Sequence, residues 1–188
     1  MKTLKVLFFA GLLISGLFSG GLAAIRLDSH NDEYKKIKTA DQNVINRLKK
    51  IRIAQKKYFE VNNSYASTWD SLLLFINNGE IPILQRTEKV STFNGKDKVT
   101  ITIDTLNVVS AFDAINEEIS LIQTEIQHLP IAPFSGDTFS LYTGERKGEF
   151  FIEVKDINPI NPKRQKGGSL KPLRFGSRAA ATVKGNWE

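Results

Sequence analysis

From Tyr34 onward, Tyr34, Ile37, Asp41, Val44, Leu48, Ile51, Gln55 and Tyr58 recur at alternating steps of three and four. That spacing lines them up along one side of an α-helix, and only Asp41 and Gln55 interrupt its apolar character. Lys, Arg, Asn and Gln fill the other sides, as in "RLKKIR" and "QKK", and make a solvated face. Two polar interruptions weaken a coiled-coil seam, so the stripe is expected to bury against the protein's own β part. Asn62, Asn63 and Ser64 compete with helical hydrogen bonds and favour turns, which ends this helix near Val61. Thr68 or Ser67 caps a second helix, Asp70 and Ser71 suit its first turn, and Gly79 ends it. Leu72, Leu73, Leu74, Phe75 and Ile76 are expected to be buried there, with Tyr65 and Trp69 pinning the corner to the core.

Beyond Gly79 the period shortens to two. "IPILQR" reads as a short edge segment, because Pro82 is unsuited to a central strand. In "DKVTITIDTL", Val99, Ile101 and Ile103 alternate with Thr100, Thr102 and Asp104, which predicts a strand entered through the turn "FNGKD". Phe112, Ile115, Ile119, Ile122 and Ile126 return to helical spacing. Phe139 and Leu141, then Phe150, Ile152 and Val154, alternate on either side of "GERKG" and predict an antiparallel hairpin. The Phe and Ile positions together are expected to form one sheet face under the stalk helix, an α+β arrangement. "NPINPKRQKGGSLKP" reads as linker.

The N-terminus follows neither period. Lys2 and Lys5 precede a charge-free run from Val6 to Ile25, whose twenty residues in a helix span about 30 Å, a bilayer core. A membrane anchor is one reading. The other is a cleaved secretory signal, with Gly21 and Ala23 spaced for cutting before Ala24. Lys2 and Lys5 favour a cytoplasmic N-terminus and an exported remainder, although Arg26, Lys35, Lys36 and Lys38 lie on the other flank. Gly16 and Gly20 form a small-residue pair through which two such helices could approach, giving a homo-oligomer.

Charge refines this picture. The chain of 188 residues has a net charge of +6. Residues 157–188 carry seven Lys or Arg against Glu188 alone and account for all of it. A balanced charge over the rest argues against a folded nucleic-acid-binding face. The basic residues Lys163, Arg164, Lys166, Lys171, Arg174 and Arg178 lie either on a solvated, weakly ordered extension or on a contact with an anionic partner. If the tail is a partner contact of an anchored subunit, deleting residues 163–188 is expected to abolish partner recovery and leave the domain folded.

The absence of cysteine removes disulfide frameworks and thiol sites. No zinc spacing, phosphate-binding Gly loop or nucleophile elbow is present in the sequence. Glu117 and Glu118 are adjacent, so on a helix they point in different directions. Asp97, Asp104 and Asp113 lack the oxygen-rich spacing of a calcium loop. The expectation is therefore a non-enzyme without catalytic, cofactor or metal residues.

"AQKKYFEVNNSYASTWDSLLLFI", behind a hydrophobic helix, resembles the helical half of type IV pilins and pseudopilins over about residues 45 to 76. In those families an Ala-Gln, an aromatic, an Asn-rich turn, a Tyr and a short Leu-bearing helix join the stalk to a β domain. "MKTLKVLFFAG" departs from them: it has neither their Gly cleavage site before the apolar run nor the Glu at the fifth position after it. "RLKKIRIAQKKYFEVNNSYASTWDSLLLFI" and the terminal "GNWE" are also similar to uncharacterised membrane-anchored proteins of Bacteroidetes-type bacteria. These resemblances imply a pilin-like α+β fold with no defined activity.

The expected organisation is an anchor or signal at 1–27, a stalk helix at 28–61, an α+β part at 62–156 and a basic tail at 157–188. The expected role is a structural or assembly subunit of the cell envelope. It would contact membrane lipid through residues 6–25 and an envelope protein through the tail, with its domain in the periplasm. The alternative is a soluble periplasmic or secreted binding module released by signal cleavage.

Overall fold

The computed structural model describes residues 2–93 and 96–188, with side chains described for 32–90 and 99–188. Helix α1 runs over Lys2–Asn62 and ends where Asn63 takes a left-handed φ of 51°, a conformation Asn tolerates better than most residues. Val44, Leu48, Ile51 and Gln55 of the predicted stripe are buried, as are the neighbouring Ala40 and Ala54. Gln55 is a clamp. Its amide donates to the Ala66 carbonyl at 3.1 Å and accepts from the Ala66 N–H at 2.9 Å. Both backbone groups of the corner are thus satisfied inside the core, where an unpaired one would cost about 1 to 3 kcal/mol.

Helix α2, Trp69–Asn78, starts at Thr68, whose hydroxyl accepts from the Ser71 N–H at 3.2 Å. Gly79 caps its end, and a Cβ there would stand 2.4 Å from the Phe75 carbonyl oxygen. Leu72, Phe75 and Ile76 are buried, but Leu74 is exposed. Five successive residues cover more than a full turn of helix, so they cannot all face one core.

Strands β1, Glu80–Phe93, and β2, Lys96–Ser110, form a two-stranded antiparallel ribbon. The segment read as a short "IPILQR" edge is a fourteen-residue strand, and Pro82 fits because both strands of a ribbon are edges. Residues Asn94 and Gly95 of the expected turn lie outside the described residues. At the base of the ribbon, the Ala111 N–H donates to the Gly79 carbonyl at 2.8 Å. Ser110 then caps helix α3, Ala111–Glu118, accepting from the Asp113 N–H at 3.0 Å. The ribbon therefore leaves the domain between two packed helices as an arm.

The single long helix expected from Phe112 to Ile126 is divided. It stops at Ile119, where φ is −153°, and the Asn116 side chain accepts from the Leu121 N–H at 2.9 Å. A 3₁₀ segment, Gln123–His128, follows and buries Ile126 while Ile122 is exposed.

Strands β3, Ser140–Arg146, β4, Glu149–Lys155, and β5, Arg174–Gly176, make a second antiparallel sheet with β4 in the middle. The β3–β4 turn is Lys147–Gly148, with φ of 56° and 77°, the paired positive values that suit the twist of a two-residue hairpin. Ile152, Val154, Leu173 and Phe175 join Val44, Leu48 and Ile51 in one core cluster. The architecture is mixed α and β with small antiparallel sheets. Among the described residues the expected single sheet face is two separate sheets, and the second of them packs on α1.

The segment 157–188 also departs from the sequence reading, because it is part of the domain. Leu173 and Phe175 are fully buried, β5 pairs with β4, and Trp187 packs on the core. A few apolar residues at the closing positions of a core outweigh the Pro, Gly and Lys around them. Deleting 163–188 would therefore open the core, contrary to the expectation. Among the described residues no helix is long and apolar enough to cross a membrane. The run Val6–Ile25, with Gly16 and Gly20, lies outside the residues whose side chains are described.

Candidate functional site

The six basic positions singled out in the sequence fall into two groups on the structure. Asn161 opens a 3₁₀ turn at Pro162–Arg164, its side-chain oxygen accepting from the Lys163 N–H at 3.1 Å. Its amide donates to Asp41 Oδ2 of α1 at 2.8 Å, and Arg164 Nε donates to the same oxygen at 2.8 Å. Arg164 also donates to the Lys171 carbonyl at 2.8 Å. Asp41, one of the two polar interruptions of the stripe, is thus the point where the 157–172 loop fastens to the helix.

Arg174 and Arg178 both bind Glu153, at 2.5 and 3.0 Å. That carboxylate is buried on β4, and two guanidinium partners compensate for taking its charge out of water. Arg178 also stacks over the Tyr142 ring at 4.6 Å from its centroid. Farther along α1, Arg52 pairs with Glu188 and faces the Trp187 ring at 5.8 Å. The three arginines are committed to holding the segment in place.

Lys163, Lys166 and Lys171 are exposed, and none has an ion pair among the described residues. They make up the exposed basic surface of the segment. What the sequence did not reveal is the acidic counterparts, Asp41 and Glu153. The available signal was Asp41, the one charged residue in the stripe.

Two clefts flank the stalk. One, of about 450 Å³, lies between α1 and the 161–170 loop, with Tyr34, Ile37, Ile45 and Leu170 beside Asp41 and Arg164. The other, of about 670 Å³, is lined by Asn43, Asn46, Arg47, Lys50, Glu125 and Phe134. Its charged groups already have partners. Arg47 donates to the His128 carbonyl and Lys50 to Glu125. The hydrogen bond from Lys50 holds the Glu125 carboxyl below its usual range, and burial pulls the Arg47 guanidinium down. On the next turns of α1, Lys57 binds Glu118 at 2.8 Å, which raises the lysine and lowers the acid.

Among the described residues, no three His, Asp or Glu side chains stand together in a way that could hold a metal ion. Glu118 is paired with Lys57, and the paired-acid reading of Glu117 with Glu118 gains no geometry. No family model, curated protein or solved structure matches the chain.

Proposed function

We propose that the protein is a non-catalytic structural or assembly subunit of the bacterial cell envelope. In this reading Val6–Ile25 anchors it in the inner membrane, and the α+β domain faces the periplasm on a pilin-like stalk. Lys163, Lys166 and Lys171 offer a cationic contact to an envelope protein. The observation that carries the reading is the use of α1. Val44, Leu48 and Ile51 are buried in the domain core, while the charge-free run Val6–Ile25 lies earlier in the same helix. A domain built onto such a helix is held at a fixed distance from whatever holds that run.

The 450 Å³ cleft supports a second reading, a soluble binding module released by cleavage before Ala24. Its mix of apolar walls and a few polar groups fits a small ligand. Intact mass and membrane fractionation from native cells separate the two. A full-length species in the membrane fraction supports the anchored subunit. A soluble species beginning at Ala24 replaces it with the binding module. Under the first outcome, changing Lys163, Lys166 and Lys171 together to Glu is expected to lower recovery of crosslinked envelope partners at least tenfold without shifting the unfolding temperature.

A further inference from the structure

The N-terminal end of the α1 stripe is not covered by the core. Val44, Leu48 and Ile51 are buried, but Tyr34 is 64% exposed and Ile37 is half-buried. Tyr34, Ile37, Asp41 and Ile45 follow one another at helical spacing along one side of α1, over about 16 Å. What faces them is the 161–170 loop, which brings Leu170 to the opposite wall of the 450 Å³ cleft. The loop has a fixed shape. The Leu170 N–H donates to the Lys163 carbonyl at 2.7 Å, and a Cβ on Gly168 would stand 2.3 Å from that same oxygen. Asp41, midway along the trough, accepts from Asn161 and from Arg164, both at 2.8 Å. The apolar walls are therefore preformed, as those of ligand sites usually are.

The charges around this trough are unbalanced. Asp41 is the one acid in its lining, against Lys38, Lys163 and Arg164. Arg164 is occupied by Asp41 and the Lys171 carbonyl. Lys38 on the helix and Lys163 on the loop are exposed and have no ion pair among the described residues. An apolar trough with two uncommitted ammonium groups complements a molecule that has an apolar chain and one anionic end. A carboxylate suits it better than a phosphate. The planar fork that grips phosphate oxygens in pairs belongs to arginine, and here that fork is already in use.

We propose that this cleft binds an amphipathic carboxylate of the fatty-acid type. Its alkyl chain lies against Tyr34, Ile37, Ile45 and Leu170, and its carboxylate sits between Lys38 and Lys163. Burial of the chain supplies the affinity, and the two ammonium groups select for an anionic end. The proposal rests on the cleft being a ligand site, as in the second reading above, and it holds whether the segment before Ala24 is retained or removed.

The test titrates octanoate and 1-octanol, which share a chain and differ in charge, into the full chain in detergent micelles. Each probe partitions into micelles to the same extent for every variant, so comparisons between variants are unaffected. Methyl NMR of Ile37, Ile45 and Leu170 reports the site, with the buried Ile152 as internal control. Octanoate is expected to shift the three cleft methyls saturably and to leave Ile152 in place. Lys38→Gln and Lys163→Gln should each weaken octanoate about threefold, and together about tenfold, the effect of surface ion pairs, with octanol unchanged. Leu170→Ser should weaken both probes about fivefold through lost apolar contact. Lys38 lies outside the set Lys163, Lys166 and Lys171, so its effect is separate from any protein contact made there. The proposal is overturned if the cleft methyls do not saturate, or if Leu170→Ser leaves both probes unchanged. Octanoate binding that ignores both lysines overturns it while leaving the cleft a ligand site, and membrane fractionation decides release from the membrane independently of either result.

Discussion

Two hairpins of similar length of alternation behave differently in this molecule. In β3–β4, Ile152 and Val154 are fully buried and Phe151 nearly so. In β1–β2, Val99, Ile101 and Ile103 alternate at least as regularly and stay in water. Alternation specifies a pleated strand and says which residues share a face. It does not say what covers that face. The cover comes from elements distant in sequence: β4 lies between β3 and β5, with α1 across the core, whereas the arm leaves the domain between α2 and α3.

Truncating one apolar side chain in each region gives the sharpest contrast. Phe175→Ala empties a fully buried site next to β4 and is expected to lower stability by about 3–5 kcal/mol, whereas Ile103→Ala on the arm should stay within about 0.5 kcal/mol. Chemical denaturation of the two variants at low protein concentration checks this, and equal losses would mean that the arm is part of the core. Next in size is the β3–β4 turn. Gly148 has φ of 77° with open space around it, so Gly148→Ala meets backbone strain and no clash, and should cost about 1 kcal/mol.

The smallest effect concerns pH. Glu118 and Glu125 are lowered by hydrogen bonds from Lys57 and Lys50. Their folded pKa values lie below the unfolded ones, so their contribution is present above the usual carboxylate range, about pH 4.3. It is lost as pH falls through the folded values. Both acids are partly exposed, which limits the contribution to about 0.5 kcal/mol each. Asp156 works in the other direction. Burial raises its carboxyl, so its stabilising effect is largest when protonated and is lost as pH rises through the raised value. Thermal unfolding from pH 3 to 6 should show a shallow dependence that Lys50→Gln and Lys57→Gln together make flatter. These pairs bind α1 to α3 and the 3₁₀ segment, so the arm should not take part.

Much of the local structure was legible because it depends on local rules. The turn at Asn63, the Thr68 cap, Gly79 and the Lys147–Gly148 turn each follow from residue chemistry within a few positions. The stripe was read correctly from Val44 to Ile51, and its two polar members proved to be fastening points. Asp41 takes Arg164, and Gln55 takes the backbone of Ala66. Their partners lie elsewhere in the fold, which periodicity does not register. The segment 157–188 was misread for the same reason. Its composition is that of a linker, yet Leu173 and Phe175 fill core positions defined by α1 and β4. Of the six basic residues, composition gave their excess but could not divide three anchoring arginines from three exposed lysines.

The placement of Phe175 also sets an order in time. The buried stripe of α1 is complete once Gln55 has been made, but Phe175 of the same core comes about 120 residues later. At synthesis rates of roughly 5–20 residues per second, the core around the stripe lacks its last strand for about 6 to 24 s. Leu72, Ile115 and Ile152 of the same cluster are made within that interval, so the apolar face of α1 gains its cover in steps. Strand β5 is thus the last strand of that core to be made.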